Sequence, residues 1–415
     1  MNRFIHQVKI VDQQSKHHLQ VVDVLLDEER ILAIWPSGNT PPDDVEIIDG
    51  KGKILSPAWF DFQAQCGEPE REYVESYETL KSAAAHGGFG YVGVLPNAGL
   101  IRDKATLIKE VLNNNKPKDV QLLPYGSWSV ASEGKKLAEL FDMTQQGAIA
   151  LTDGAQPIPT NRLLDIGLNY AKTFDLLSVF HPEDAYLNNK EGVSESATAL
   201  NMGMHGASIA GEIIALQNLI AMAEHTGSRI HVSQISLAQS VKLIEDAKKR
   251  NIKITCGVTV QHLYFNEEDV LNFDVNLKLN LPLRSKDDQF TLCKAVSNGI
   301  IDVVISNHQT CTTEEKRVEF DFASTGTQSL EAFAGAAFDS LKSLITAEDF
   351  SALMSNSAFK ICNRTVEKIE VGNPTGFTLF DPKVEYLFES EHIKNKWKNC
   401  AYLNRKLTGK AIYIP

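Results

Sequence analysis

The sequence predicts an α/β protein, a TIM-type (β/α)8 barrel with a small β-sandwich domain that is built from both chain termini. Eight short β-like runs alternate with longer amphipathic runs through the middle of the chain, which is the pattern of parallel strands joined by helices. Alternating apolar and polar residues at both ends predict further strands outside the barrel. We therefore predict the small β domain at residues 1–55 plus 371–415 and the barrel at residues 56–370.

The predicted elements follow one another in a regular order. The barrel strands are ILSPAWFDFQ (54–63), GYVGVLPN (90–97), VQLLPYGSW (120–128), AIALTD (148–153), LLSVFH (176–181), RIHVSQIS (229–236), IKITCGVTV (252–260) and DVVISN (302–307). The clearest helical runs between them are SYETLKSAAAHGG (76–88), KKLAELFDMTQQG (135–147), GEIIALQNLIAMAEHTG (211–227) and AQSVKLIEDAKKRN (238–251). Several of these end in Gly or Asn, which suits a helix C-cap. The end runs QVKIVD, VVDVLLDEERILAIW, VEIIDG, GFTLFDP and GKAIYI predict a small antiparallel sheet.

Composition and charge exclude several classes of protein. The chain has 415 residues, of which 43% are hydrophobic, so it can bury a large core. Its formal net charge of −12 disfavours binding to nucleic acid or a membrane, because phosphate groups repel an acidic surface. The six cysteines include no CxxC pair, which is typical of reduced thiols. Since we also recognise no signal peptide and no long apolar run, we predict a cytoplasmic protein.

Polar side chains stand where the predicted barrel strands end. In such barrels these positions converge on one mouth, where the chemistry takes place. The strand ends carry Asp61, Gln63, Gln65, Asn97, Asp153, His181, Gln234, Asn307 and His308. The sequence therefore predicts a mouth that is unusually rich in neutral amides.

Eight stretches along the chain occur in the order in which one known family has them. They are PAWFDFQAQCGEPE, AAAHGGFGYVGVLPN, FHPEDAYL, HTGSRIHVSQISLAQSVKLIEDAKKRN, GVTVQHL, LKLNLPLRS, IIDVVISNHQTCTTEEK and FTLFDP. Together they resemble dihydroorotase of the amidohydrolase superfamily, and allantoinases and dihydropyrimidinases share much of the pattern. The resemblance implies a zinc site that activates a water for attack on a cyclic amide, with a carboxylate that moves the proton.

The same resemblance implies where the metal ligands should lie. The family's six ligand positions correspond here to Gln63, Gln65, Asp153, His181, Gln234 and Asn307. Only Asp153 and His181 keep a ligating group, and Asn307 replaces the closing Asp, which is both ligand and general base. A neutral amide is a poor zinc ligand, and Asn307 cannot accept a proton from water. We therefore expect no zinc cofactor and no catalytic residue.

The positions that the resemblance implies for substrate binding are also depleted. The family's Arg after His-x-His is Gly67, and a His near the closing Asp is Cys311. Asn97 and Asn280 keep the remaining two pocket positions. Without the Arg, the pocket lacks a bidentate contact with a substrate carboxylate.

The retained groups also have structural explanations. Asp153 and Gly154 form a common turn dipeptide, and His181 followed by PED suits a hydrogen-bonded histidine at a strand end. Cys66 and Cys311 lie near the predicted mouth and are the residues with which a rearranged metal or thiol site would be built. If Asp153 and His181 have only these local roles, neither of them supports catalysis.

Three functions remain open at this point. The resemblance implies a non-catalytic dihydroorotase homologue of pyrimidine biosynthesis, because some bacteria use such homologues as subunits that assemble with aspartate carbamoyltransferase. The rival is an active dihydroorotase or related cyclic amidohydrolase with an atypical zinc site. The third is a sensor that binds a pyrimidine precursor through Asn97 and Asn280 without turning it over. The resemblance further implies a homo-oligomer.

Overall fold

The computed structural model describes residues 2–157, 159–184, 186–187 and 192–415. Its strands are β1 (Arg3–Ile10), β2 (Val21–Leu26), β3 (Ile31–Pro36), β4 (Glu46–Asp49), β5 (Ile54–Pro57), β6 (Trp59–Ala64), β7 (Phe89–Val94), β8 (Gln121–Pro124), β9 (Ser178–Phe180), β10 (Ile230–Val232), β11 (Ile254–Thr259), β12 (Val303–Ile305), β13 (Phe377–Leu387) and β14 (Lys406–Ile414). Its α-helices are α1 (Tyr77–His86), α2 (Ala105–Asn113), α3 (Leu140–Gln145), α4 (Asn161–Thr173), α5 (Ala197–Asn201), α6 (Ile209–Thr226), α7 (Ala238–Lys249), α8 (Val260–Tyr264), α9 (Lys286–Ser297), α10 (Thr313–Lys316), α11 (Leu330–Leu341) and α12 (Ala347–Ile361). Short 3₁₀ helices lie at Val130–Ser132, Glu267–Asn272, Val275–Leu277, Phe320–Phe322 and Ser390–His392.

The middle of the chain forms the predicted (β/α)8 barrel. The strands β6, β7 and β8 pair in parallel, and so do β9, β10, β11 and β12. Leu151 joins the two groups through parallel bridges to Gly126 and Ser178, and a parallel bridge between Ala64 and His308 closes the ring. Eight parallel positions therefore surround one barrel, which confirms the predicted fold class.

Three predicted elements differ from the observed ones. The run 54–63 is two strands, because Ile54–Pro57 pairs with β1 and β13 and only Trp59–Ala64 enters the barrel. The run 148–153 is reduced to the bridges of Leu151. The helix predicted at 135–147 begins only at Leu140, since Val130 N–H donates to the carbonyl of Lys136 and holds the preceding segment in a turn.

The helices that surround the barrel begin and end at residues that satisfy their free backbone groups. The Ser76 side chain accepts from the N–H of Thr79, and the Thr79 side chain accepts from the N–H of Ser76, which forms a capping box at the start of α1. The helix α6 ends at Gly227, whose φ of +68° favours glycine. No helix in the part of the chain that the structure describes is both long and apolar enough to cross a membrane.

Both termini contribute to one seven-stranded sheet beside the barrel. Its order is β14-β13-β5-β1-β2-β3, and β4 also pairs with β1. The antiparallel interpretation is wrong for β4, which runs parallel to β1. The strand β5, predicted as part of a barrel strand, joins this sheet and also runs parallel to β1. Each follows its own connection rather than a hairpin from β1, so its direction is free to match that of β1. The sheet of both termini is present as predicted.

Candidate functional site

Two cavities share the mouth of the barrel. The first has a volume of about 440 Å3, is lined by Arg71, Glu75 and Lys278 among other residues, and is named here the Arg71 cavity. The second has a volume of about 450 Å3, is lined by Asn97 and Glu183 among others, and is named the Asn97 cavity. Polar groups from several barrel strands and loops therefore converge at the end of the barrel where the sequence predicts a site.

A pair of glutamines stands between these cavities. Gln65 and Gln309 line both of them, and so does Thr325. Gln65 Nε2 donates a hydrogen bond of 3.3 Å to Gln309 Oε1. Gln65 is one of the predicted family ligand positions, and its side chain here contacts another amide. The mouth is consequently divided into two compartments.

The four predicted substrate positions fall on opposite sides of this division. Asn97 and Asn280 line the Asn97 cavity, whereas Gly67 and Cys311 line the Arg71 cavity. Asn97 Nδ2 donates to the backbone carbonyl of Asp153 at 2.7 Å, and Asn280 Oδ1 accepts from Thr325 Oγ1 at 2.8 Å. Each asparagine therefore uses part of its amide to hold a neighbouring loop, and its role toward a ligand stays a prediction.

The carboxylate of Asp153 is held by serines of the preceding barrel segment. Its Oδ1 accepts hydrogen bonds from Ser127 Oγ at 2.9 Å and from the Ser129 N–H at 2.8 Å. Its Oδ2 accepts from Ser129 Oγ at 2.6 Å. Burial raises the pKa of Asp153 in spite of these bonds. Both carboxylate oxygens are thus engaged in holding the third and fourth barrel segments together.

Both ring nitrogens of His181 have protein partners. Its Nε2 lies 3.1 Å from Glu183 Oε2, and its Nδ1 lies 3.4 Å from Ser233 Oγ. The imidazole is only 3% exposed. A lone pair of His181 could bind a metal only if one of these contacts were broken.

The glutamines at the remaining ligand positions are buried. Gln63 and Gln234 are at most 6% exposed, and the Oε1 atom of each has no hydrogen-bond partner among the described residues. Asn307 follows β12 with a φ of +46°, a left-handed conformation that asparagine tolerates better than most residues. The interior of the mouth is therefore polar but uncharged at these three positions.

Two further histidines lie below the mouth. His231 Nδ1 contacts Thr255 Oγ1 at 2.8 Å, and burial lowers the pKa of His231 to about 3, so its ring is neutral. His308 Nδ1 accepts from the N–H groups of Ser329 and Leu330, so its proton is on Nε2, which faces Glu75 Oε1 at 3.2 Å. His231 therefore packs as a neutral structural group. At His308 burial opposes protonation, but the Glu75 carboxylate outweighs it and raises the pKa, so this ring is a structural group tied to Glu75.

Neither cysteine at the mouth has the environment of an activated thiol. Cys66 and Cys311 both line the Arg71 cavity. Burial raises the pKa of Cys66 well above its ordinary value and raises the pKa of Cys311 to about 11. A thiolate is the nucleophilic and metal-binding form, so these positions disfavour both roles.

Sequence reasoning missed several side chains that shape the mouth. Arg71, Glu75 and Lys278 line the Arg71 cavity, and Glu183 lines the Asn97 cavity. They lie in loops, where residue type alone gives no signal of convergence. The one signal in the sequence was an arginine in EPERE (68–72). This residue, Arg71, lies four positions after Gly67, where the resemblance implies that the family has its Arg.

Comparison with known proteins gives the family. Residues 52–240 match the family model described as Dihydro-orotase-like. The dihydroorotase of Geotalea daltonii is 30% identical over the whole of this chain and 97% of its own length, and that of Carboxydothermus hydrogenoformans is 32% identical over 94% of this chain and 91% of its own. The chain belongs to the dihydroorotase family. At this level the protein is dihydroorotase-like.

Solved structures of hydantoinases and dihydropyrimidinases have the same fold. An L-hydantoinase (dihydropyrimidinase) from Arthrobacter aurescens matches with a TM-score of 0.83 at 17% identity, over 99% of this chain and 94% of its own. A dihydropyrimidinase from Brevibacillus agri matches with a TM-score of 0.79 at 20% identity, over 99% of this chain and 92% of its own. At such identities the likeness concerns the architecture alone.

The side chains at the ligand positions that the resemblance implies do not fit zinc. Zinc in proteins takes three or four ligands from Cys, His, Asp and Glu. Four of the six positions hold amides: Gln63, Gln234 and Asn307, which are buried or half-buried, and Gln65, which contacts Gln309. The other two, Asp153 and His181, are hydrogen-bonded to the protein. Across residues 2–157, 159–184, 186–187 and 192–415, no three His, Cys, Asp or Glu side chains are grouped so that they could hold a metal ion.

Proposed function

We propose that this protein is a non-catalytic member of the dihydroorotase family that acts in pyrimidine biosynthesis as a structural or regulatory partner of aspartate carbamoyltransferase. The observation that carries the proposal is the state of the two remaining ligating groups. Asp153 has both oxygens bonded to Ser127 and Ser129, and His181 has both nitrogens in contact with Glu183 and Ser233. Two ligating groups that are already tied to neighbouring protein atoms are fewer than the three or four ligands that zinc takes.

The general base is missing as well. Asn307 occupies the position that the family resemblance gives to the closing Asp, and an amide does not take up a proton near neutral pH. Hydrolysis of a cyclic amide needs both an activated water and a group that moves its proton. We propose that neither is supplied by this chain.

Metal content and turnover test the non-catalytic role. The protein is purified without chelator, its zinc is measured by elemental analysis, and hydrolysis of dihydroorotate is assayed with added zinc. We expect well below one zinc per chain and no turnover. The dihydroorotase of Carboxydothermus hydrogenoformans, prepared in the same way, is the positive control for turnover.

The rival function, an active cyclic amidohydrolase with an atypical zinc site, makes the opposite prediction. It requires stoichiometric zinc with turnover, and both should fall in the variant His181→Ala. Under the proposed function, His181→Ala leaves the background zinc unchanged. Turnover that depends on His181 would overturn the non-catalytic role.

The partner role is tested by direct binding. We expect this chain and the aspartate carbamoyltransferase of the same organism to elute together in size-exclusion chromatography with light scattering. Separate elution at micromolar concentrations of both proteins would contradict the partnership. We also propose a cytoplasmic location and self-association, and light scattering of the chain alone tests the latter.

The Asn97 cavity supports a second candidate function, a sensor for a pyrimidine precursor. Its lining includes Asn97, Gln156 and Asn280, whose amides can pair with the N–H and carbonyl groups of such a ring. A bound ligand stabilises the folded state, so dihydroorotate or carbamoyl aspartate should raise the melting temperature. Asn280→Ala should remove that increase. No shift at millimolar ligand would exclude the sensor.

A further inference from the structure

Two loop segments lie side by side at the rim of the Arg71 cavity and are tied together by two lysines. Lys278 Nζ donates hydrogen bonds to the backbone carbonyls of Phe320 and Asp321, at 2.9 and 2.7 Å. In the other direction, Lys316 Nζ donates to the carbonyl of Val275 at 2.7 Å. It also donates to the carbonyl of Ser324, in its own segment, at 2.7 Å. Each segment thus contributes a lysine that holds the backbone of the other.

These lysines are unusual because they are buried and neither of them forms an ion pair with a carboxylate in the described part of the chain. Lys278 is 3% exposed and Lys316 is 8% exposed, and neither ammonium forms an ion pair with the acidic side chains of the described residues. Burial lowers the pKa of both, in the case of Lys316 to about 8. Burying an ammonium costs free energy, which backbone carbonyls offset only when the geometry is fixed. The rim therefore has a defined shape.

Both segments of this rim expose large apolar side chains. Leu271 and Phe273 on one segment and Val318 and Phe322 on the other are exposed, and Phe322 is 78% exposed. The buried ring of Phe320 lies between Val318 and Phe322 in sequence, and its centroid is 6.2 Å from that of Phe273. These four exposed residues are named the apolar rim patch. Exposed apolar side chains that lie close together mark interaction sites more often than apolar side chains that are scattered singly.

Acidic side chains surround the apolar rim patch. Residues 267–274 carry four Asp or Glu and no Lys or Arg, and residues 313–322 carry four Asp or Glu against Lys316 and Arg317. Glu314, Glu319 and Asp321 are exposed, while Lys316 is used within the fold. Three of the eight acids are paired with cations outside the two segments, Glu268 with Lys286, Asp269 with Arg405 and Glu315 with Arg71. The negative border therefore lies chiefly beside Val318 and Phe322, where Glu314, Glu319 and Asp321 form no ion pair among the described residues.

We infer that the apolar rim patch is a docking surface for a protein partner that presents apolar side chains within a border of Lys and Arg. The inference rests on the proposed partner role and gives it a location, over the opening of the Arg71 cavity. Charge complementarity selects this occupant. A second copy of this chain would bring the same acidic borders together, and like charges across an interface oppose binding.

The experiment measures the dissociation constant of the full chain with the catalytic chain of aspartate carbamoyltransferase. We expect Val318→Glu and Phe322→Glu each to raise it at least tenfold, because each inserts a charge into the apolar centre. Glu319→Lys should raise it as well, and so should higher ionic strength. Ile166→Glu is the matched control, since Ile166 on α4 is also an exposed apolar residue, and it should leave the constant within twofold.

Each other outcome is decisive. Unchanged binding by Val318→Glu and Phe322→Glu, with melting temperatures like that of the wild type, would overturn the docking surface and leave the partner role intact. Loss of binding in Ile166→Glu alone would move the interface to α4. If Phe322→Glu instead dissociates a homo-oligomer, the occupant is a second copy and the inference is wrong. If the wild type does not bind, both the docking surface and the partnership fail, while zinc and turnover still judge the non-catalytic role separately.

Discussion

Asp61 closes the barrel through a single serine on the last strand. Its Oδ1 accepts from the Ser306 N–H at 2.9 Å, and its Oδ2 accepts from Ser306 Oγ at 2.5 Å. The side chain is fully buried, and this burial raises the pKa of Asp61 from its ordinary value of 3.8 to about 6. The carboxyl at this seam therefore keeps its proton in the folded state at pH values where the unfolded chain has already lost it.

This shift predicts a pH dependence of stability with a definite sign. Between about pH 4 and pH 6 the folded state binds more protons than the unfolded state, so the contribution of Asp61 is present below pH 4 and is lost as the pH rises through 6. The free energy of unfolding of the wild type minus that of Asp61→Asn should fall by roughly 3 kcal/mol from pH 4 to pH 7. Urea unfolding at each pH measures it. The exposed Asp43→Asn is the control, and a flat difference for Asp61→Asn would contradict the prediction.

Asp153 gives a second prediction for a single side chain. In Asp153→Ala the Ser127 and Ser129 donors lose their buried acceptor, so the free energy of unfolding should fall by about 2–4 kcal/mol while zinc content stays at background. Urea unfolding and elemental analysis measure the two quantities. Asp142→Ala on the exposed side of α3 should cost much less. Equal stability of the two variants would show that the serine hydrogen bonds do not hold the barrel together, and zinc lost only with Asp153 would mean that Asp153 is a ligand.

The sequence predicts which residues replace the family's ligands, and that assignment stays a prediction, but the sequence does not predict the contacts of these residues. The resemblance placed Gln63, Gln65, Gln234 and Asn307 at ligand positions because these lie in recognisable strand motifs. The partners of Asp153 lie 24 and 26 residues away in a loop with no such motif. Hydrogen bonds between distant loops depend on the assembled barrel, so residue type and spacing do not specify them.

At the scale of elements, the two lysines that cross the rim determine how firmly the loops are held. Among the described contacts of residues 313–317, the side chain of Lys316 is the only one that donates to two backbone carbonyls. In its absence the carbonyls of Val275 and Ser324 would be left without these donors. The loop that carries Val318 and Phe322 would then lose its fixed position.

Replacement of Lys316 tests this role. In Lys316→Met, backbone amides in residues 318–326 should exchange with deuterium at least tenfold faster, because the loop opens more readily without the lysine. Hydrogen exchange with mass spectrometry gives the rates. Arg317→Met is the neighbouring control, since Arg317 is exposed, and it should leave exchange unchanged. Equal exchange in both variants would show that Lys316 does not hold the loop.

The periodicity of the sequence predicted the type and order of the helices and strands better than their lengths. Strands and helices were placed in the correct order because a buried strand is apolar throughout and a barrel helix is apolar on one face. The helix at 135–147 was predicted too long, since Leu137 has helical spacing but bridges Ser129. Tertiary pairing overrides local periodicity at such positions.

At the scale of the whole molecule, the terminal sheet and the barrel meet at buried contacts. Thr378 Oγ1 on β13 accepts from the Trp59 N–H at 3.0 Å and donates to the Gly88 carbonyl at 2.6 Å. The Trp59 ring packs against Phe380 of the sheet and Phe350 of α12, with centroids 5.5 and 5.6 Å away. The first barrel strand is thus held by residues from the far end of the chain.

These contacts predict that sheet and barrel unfold together. Thr378→Val keeps the shape of the side chain but leaves the Trp59 N–H and the Gly88 carbonyl without a partner, so the free energy of unfolding should fall by roughly 2–4 kcal/mol. Urea unfolding followed by tryptophan fluorescence and by far-UV circular dichroism should give one coincident, shifted transition. Thr408→Val, on the neighbouring strand β14 and only half-buried, should change stability by less than about 1 kcal/mol. Two separate transitions in Thr378→Val would show instead that the barrel folds without the terminal sheet.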